Sequence, residues 1–173
     1  MKEKIQDCLK QLIGLPLTRT TRAADMECIK FGTLYEKDNK GVEWQVGEFG
    51  LHLQCPWRIT KDNVILVGSD DLLEQPNENA GYDENFHWDT KGGNLRDVKL
   101  KAFIKTQKHL VLSVVADELG GFELILSNNV KLTAFPALSS KNKYSEYWRL
   151  LDNRGDKASN FHFIVTPNGI DLV

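Results

Sequence analysis

Between Gly47 and Ile59 the chain reads Gly-Glu-Phe-Gly-Leu-His-Leu-Gln-Cys-Pro-Trp-Arg-Ile. Apolar and polar residues alternate with a period of two, which a helix cannot use and a half-buried strand requires. Phe49, Leu51, Leu53 and Cys55 are predicted to face the core. Glu48, Gly50, His52 and Gln54 are predicted to face away from it. Pro56 has no amide to give to a ladder, so the strand stops there. Trp57-Arg58-Ile59 starts another. Such a chain must build much of its core on antiparallel sheet.

The rest of the pattern agrees. Ile5, Cys8, Leu9, Leu12 and Ile13 recur at helical spacing and predict a helix over Lys2 to Ile13, ended by Gly14. Strands are predicted at 17–22, 27–31, 42–46, 48–54, 57–60 and 64–67, with polar turns at 36–41 and 61–63. A second helix is predicted within Lys91 to Lys108, with Asn94 as its N-cap and Leu95, Val98, Ala102 and Phe103 inward. The last third is strand-rich at 110–115, 122–126, 130–135, 147–151 and 161–166. Asn128-Asn129 and Asn168-Gly169 mark hairpin turns, because both residue types tolerate positive φ. The expectation is one α+β domain over 1–173, mostly antiparallel sheet, with roughly nine strands, an N-terminal helix and one mid-chain helix. The echo of Trp57-Arg58-Ile59 in Trp148-Arg149-Leu150 raises a duplicated β unit, against which stands the shortness of the match.

Composition narrows the function. Lys and Arg number 22 against 24 acids, a net charge of −2, so no global field attracts nucleic acid or anionic lipid. No apolar run has membrane length, and charges occupy the start where a signal peptide would be apolar. The three cysteines, Cys8, Cys28 and Cys55, are far apart and form no CxxC pair, which fits free thiols in a cytoplasmic setting. Phosphate-cradling, zinc-protease, EF-hand and nucleophile-elbow motifs are absent, so neither a cofactor nor a metal is predicted.

Charge is instead arranged locally. From Asp62 to Thr90 there are eight acids and no Lys or Arg, and 69–93 reads as an acidic surface loop. Six bases against one acid follow in Lys91 to Lys108. Tyr82, Phe86 and Trp88 in that loop are candidate anchors for a partner protein, since aromatic residues are enriched at binding hot spots. The blander account is internal neutralisation of loop by helix. Glu48, His52 and Arg58 are candidates for a small-molecule site on the polar strand face, where a histidine could move protons; an exposed sheet with cross-strand polar pairs is the competing account. Arg19 and Arg22, among three threonines, could hold a carboxylate or phosphate, or pair with Asp25. Cys55, on the inward face, reads as an inert thiol rather than a nucleophile.

The strings Arg22-Ala23-Ala24-Asp25-Met26, Phe31-Gly32, Gly47-Glu48, Leu51-His52 and Cys55-Pro56-Trp57-Arg58-Ile59 resemble a family of small uncharacterised bacterial proteins. The likeness extends in outline to Glu146-Tyr147-Trp148-Arg149 and Val165-Thr166-Pro167. It implies an intracellular bacterial or phage-borne domain and assigns no residue a role. The leading functional expectation is therefore a non-enzymatic protein acting through protein–protein contact, in the manner of an immunity protein or inhibitor. The alternative is a small-molecule or enzymatic pocket around His52.

Overall fold

The computed structural model describes residues 1–155 and 162–173. It is α+β and mostly antiparallel. Helix α1 (Lys2–Leu9) and a short 3-10 turn (Lys10–Leu12) precede seven strands: β1 (Pro16–Ala23), β2 (Met26–Phe31), β3 (Tyr35–Lys37), β4 (Glu43–Gln45), β5 (Phe49–Leu53), β6 (Trp57–Lys61) and β7 (Val64–Gly68). A second 3-10 turn (Ser69–Leu73), a long loop and helix α2 (Leu95–Thr106) follow. Six strands complete the described chain: β8 (His109–Ala116), β9 (Phe122–Leu126), β10 (Val130–Ala134), β11 (Trp148–Asp152), β12 (His162–Thr166) and β13 (Gly169–Leu172). Thirteen strands replace the nine or so expected. The polar turn is shorter than read: Tyr35–Lys37 pairs with Glu43–Gln45, leaving only residues 38–42 to reverse the chain. Phe161, expected to begin a strand, lies outside the described residues.

Eleven strands form one sheet in the order β13-β12-β11-β5-β2-β1-β8-β9-β10-β6-β7. Because β5 runs into β6 through residues 54–56 alone, this order closes on itself. The first half of the bent strand pairs with β2 and β11, and the second half with β10 and β7. At the bend the amides of Gln54 and Cys55 both donate to Tyr147 O, while Pro56 O accepts from Phe135 N. Pro56 thus sits where the ladder changes partners and its missing amide costs nothing. Strands β5/β6, β2, β1, β8, β9 and β10 form a closed antiparallel ring.

The ring encloses the core. Phe49, Leu51 and Leu53 are 0–1% exposed, as the alternation requires, and Trp57, Ile59, Leu124, Leu132 and Trp148 join them. Ile5, Leu9 and Leu12 are fully buried on the same cluster, each stabilising the fold by roughly 1.5–3 kcal/mol through lost apolar surface. Trp148 adds a hydrogen bond from Nε1 to Gly120 O at 2.7 Å and an edge-on contact with Phe122. Turns follow local chemistry: Asp62 and Asn63 make a two-residue hairpin turn, Asn128 and Asn129 lie with Ser127 in a three-residue one, and these Asp and Asn residues all adopt positive φ.

Strand β8 meets β1 only at His109 and Leu110; Val111 still bonds Gly14 and Leu15 just before β1, and beyond it β8 has no strand on that side while pairing with β9 on the other. The side chain of Gln6 fills the vacancy. Its Oε1 accepts from Ala116 N at 2.8 Å and its Nε2 donates to Val114 O. One amide thereby stands in for two ladder bonds.

Candidate functional site

The polar strand face does not gather its predicted residues. His52 is half-buried and lies in register with Cys28 on β2 and Arg149 on β11. Glu48 turns instead toward the loop after β2: its Oε1 accepts from Thr33 N, and a Cβ on Gly32 (φ +82°) would come within 2.5 Å of that oxygen. Arg58, on β6 across the bend, lies over the Phe135 ring at 5.6 Å. What surrounds His52 is Lys30. Gly50 leaves room for the ammonium, since a Cβ there would stand 3.1 Å from Lys30 Nζ and 3.7 Å from His52 Nε2. Burial, reinforced by Lys30 and Arg149, pushes His52 down to about 4. The ring is neutral at pH 7 and a weak base, so general-base chemistry has no support here.

Arg19 and Arg22 come together at a different place. After Leu17, β1 parts from β8, and its outer edge runs beside α2 with a cleft of about 470 Å³ between them. Antiparallel pairing with β2 directs every second amide and carbonyl of residues 18–23 away from β2, toward that cleft. Arg22 closes one end. Its guanidinium bonds Asp97 through Nε at 3.1 Å, Asp89 through Nη1 at 2.6 Å, and the Trp88 and Asp89 carbonyls through Nη2. Burial works against its charge, but the hydrogen bonds to Asp89 and Asp97 outweigh that and raise its pKa. Arg22 is a structural clamp, and its partners are Asp89 and Asp97 rather than Asp25. The β1–β8 pairing closes the other end.

Arg19, Lys91, Lys101 and Lys105 line the cleft, and none has an ion-pair partner among the described residues. Leu100, Ile104 and the hydroxyl-bearing face of β1 supply the walls. Glu27 lines it as well. This carboxyl is 1% exposed and pairs with Arg96 Nε at 3.3 Å across the base of α2. Arg96, equally buried, donates to Asp25 O and Ser69 O and lies over Trp57 at 5.9 Å. Burial pushes Glu27 up to about 7 despite Arg96, and lowers Arg96.

The thiols offer no nucleophile. Burial pushes Cys8 and Cys55 to about 12 and raises Cys28. Among the described residues no group of three or more His, Cys, Asp or Glu is placed to hold a metal, and no helix is long and apolar enough to cross a membrane.

Of the predicted partner-binding aromatics, Tyr82 and Phe86 line one hollow together with Asp71, Glu74 and Glu78; Tyr82 is 90% exposed, whereas Phe86 and Trp88 are half-buried. The loop is held by side chains rather than by a core of its own. The Gln75 amide bonds the carbonyls of Asn77, Ala80 and Gly81 and accepts from Asp83 N. Asn94 both caps α2 at Asp97 N and holds Trp88 O. Neutralisation of loop by helix is partial: Lys99 reaches Glu78 at 3.4 Å and Asp71 at 3.9 Å, while Lys101 and Lys105 turn to the cleft. The helix buries Leu95, Arg96, Leu100 and Phe103, leaving Val98 and Ala102 exposed. That rotates the inward face away from the predicted one and brings Arg96 inside, against the buried Glu27 carboxyl. Sequence reasoning missed Glu27, Arg96 and the cleft lysines; the one available signal was Glu27 on the inward parity of β2.

Comparison with protein-family models, with curated proteins and with solved structures found no match.

Proposed function

We propose that this chain is a binding protein that receives a short acidic segment of a partner protein in the cleft between β1 and α2. The observation that carries the reading is the combination of an unpaired strand edge with four uncompensated cations, Arg19, Lys91, Lys101 and Lys105, along one cleft. Outward-facing backbone groups of β1 offer hydrogen bonds to an extended chain, and alternate side chains of that chain meet the lysines. The closed ends at Arg22 and at the β1–β8 junction restrict the occupant to a few residues. Protonated thiols and a weakly basic His52 support binding over catalysis.

An eight-residue peptide alternating Glu and Val, labelled with fluorescein, provides the probe, and its Lys–Val counterpart the control. Fluorescence anisotropy is expected to show saturable binding of the acidic peptide only, weakened by salt. The Lys101→Glu/Lys105→Glu variant, altered at exposed helix positions, is expected to lose at least tenfold in affinity. Equal binding of both peptides, or an affinity unmoved by the charge reversal, would remove the proposal.

A further inference from the structure

The loop before α2 carries the charge that the β1–α2 cleft lacks. Residues 76–85 are all exposed and hold Glu78, Asp83 and Glu84 without a single base. Glu78 is engaged by Lys99 of its own chain, whereas Asp83 and Glu84 have no ion-pair partner among the described residues. Asp83 accepts from the Asn85 amide at 2.9 Å, a local turn bond that leaves its charge uncompensated. Tyr82 stands beside them with its ring in water. Tyr82, Asp83 and Glu84 together make a knob of one flat ring and two carboxylates. Its base is pinned, since the Gln75 side chain accepts from Asp83 N and donates to the Ala80 and Gly81 carbonyls. A knob already held in shape loses little freedom on docking.

The knob does not serve the cleft of its own chain. No residue from 74 to 90 lines that cleft. Glu78 roots the loop on Lys99, which lies about half a turn around α2 from Lys101 and faces the other flank of the helix. Tyr82 lies against Asp71 and Glu74 rather than Leu100 and Ile104. The cleft nevertheless offers the complement of the knob. Arg19, Lys91, Lys101 and Lys105 are all exposed and answer the carboxylates, and Leu100 and Ile104 answer the ring.

We propose that the occupant of the β1–α2 cleft is the Tyr82-Asp83-Glu84 knob of a second copy of this chain. The inference rests on the binding function proposed above for that cleft and names its partner. Knob and cleft are different patches, so each copy both gives and receives, and a reciprocal exchange about a two-fold axis closes a dimer. A net charge of −2 sets little general repulsion between copies. A loop tip in a short cleft makes a small contact, so the association is weak and reversible, and salt screens it.

Sedimentation equilibrium of the full chain reads the association. The expected result is a mass that rises above the monomer with concentration at low salt and returns to it at high salt. Asp83→Lys/Glu84→Lys, at exposed loop positions, and Lys101→Glu/Lys105→Glu are each expected to weaken self-association at least tenfold with the thermal midpoint unchanged. An equimolar mixture of the two variants is expected to associate more strongly than either alone, because the reversed knob of one meets the reversed cleft of the other. A wild-type chain that stays monomeric at low salt, charge reversals that leave the mass unmoved, or a mixture no stronger than its components would each overturn the proposal. The Glu–Val peptide separates the two claims. A monomeric chain that still binds it refutes the second copy as occupant and leaves the cleft a binding site; a chain that neither binds it nor associates refutes both.

Discussion

Replacing Gln6 by Met tests whether one side chain substitutes for a missing strand. Met keeps the length and apolar stem of Gln and removes both polar ends. Val114 O and Ala116 N would then lose their partners on a stretch of β8 where the residues are 6% and 3% exposed. Two hydrogen bonds at about 1 kcal/mol each set the lower bound, and incomplete hydration of the two orphaned groups raises the expected loss to roughly 2–4 kcal/mol. For a chain of this size that lowers the thermal midpoint by roughly 5–15 °C. Gln6→Glu keeps the acceptor for Ala116 but sets a carboxylate oxygen against Val114 O, and is expected to lose at least as much at pH 7. Urea unfolding followed by tryptophan fluorescence gives the free energy, and native-state hydrogen exchange reads the Ala116 amide directly. A Gln6→Met protein within about 0.5 kcal/mol of wild type, its Ala116 amide still protected, would show that β8 needs no surrogate partner and that the argument is wrong.

Glu27 makes stability depend on pH. Its folded pKa of about 7 lies above the ordinary 4.5, so the native state holds a proton that the unfolded chain releases first. This contribution is complete below pH 4.5 and lost as pH rises to 7, a fall of roughly 3 kcal/mol. Urea midpoints taken across that window should decline for wild type and flatten for Glu27→Gln; parallel slopes would refute the assignment. For the thiols, the native protein at pH 8 is expected to leave Cys8 and Cys55 unmodified by a disulfide reagent until denaturant is added. Rapid native labelling at either position would contradict their burial.

Much of the local structure is written in short patterns. Phe49, Leu51 and Leu53 announce their face by parity, Asn128-Asn129 its turn by tolerance of positive φ, and Asn94 its cap by a hydrogen bond three residues long. What the patterns omit is who pairs with whom. Nothing near Trp57 says that it will meet Ala134, and nothing near Arg96 says that Glu27 awaits it. Arg96 therefore read as one more surface base, and Val98 and Ala102 as inward residues. The cleft was half-legible for a related reason. Arg19 and Arg22 stood out beside the threonines, but the lysines that complete the lining come from α2 and the loop before it, roughly seventy to eighty-five residues later.

The bend at Pro56 also dictates an order of assembly. During synthesis β5 and β6 emerge long before β10 and β11, so the seam joining them cannot be sewn until the chain has grown past Asp152. Local hairpins such as β1–β2 and β6–β7 form early, whereas closure waits on contacts remote in sequence, the kind that slow folding. Until β10 emerges, Trp57 and Ile59 have one strand neighbour instead of two, and the apolar surface left open in that interval favours aggregation.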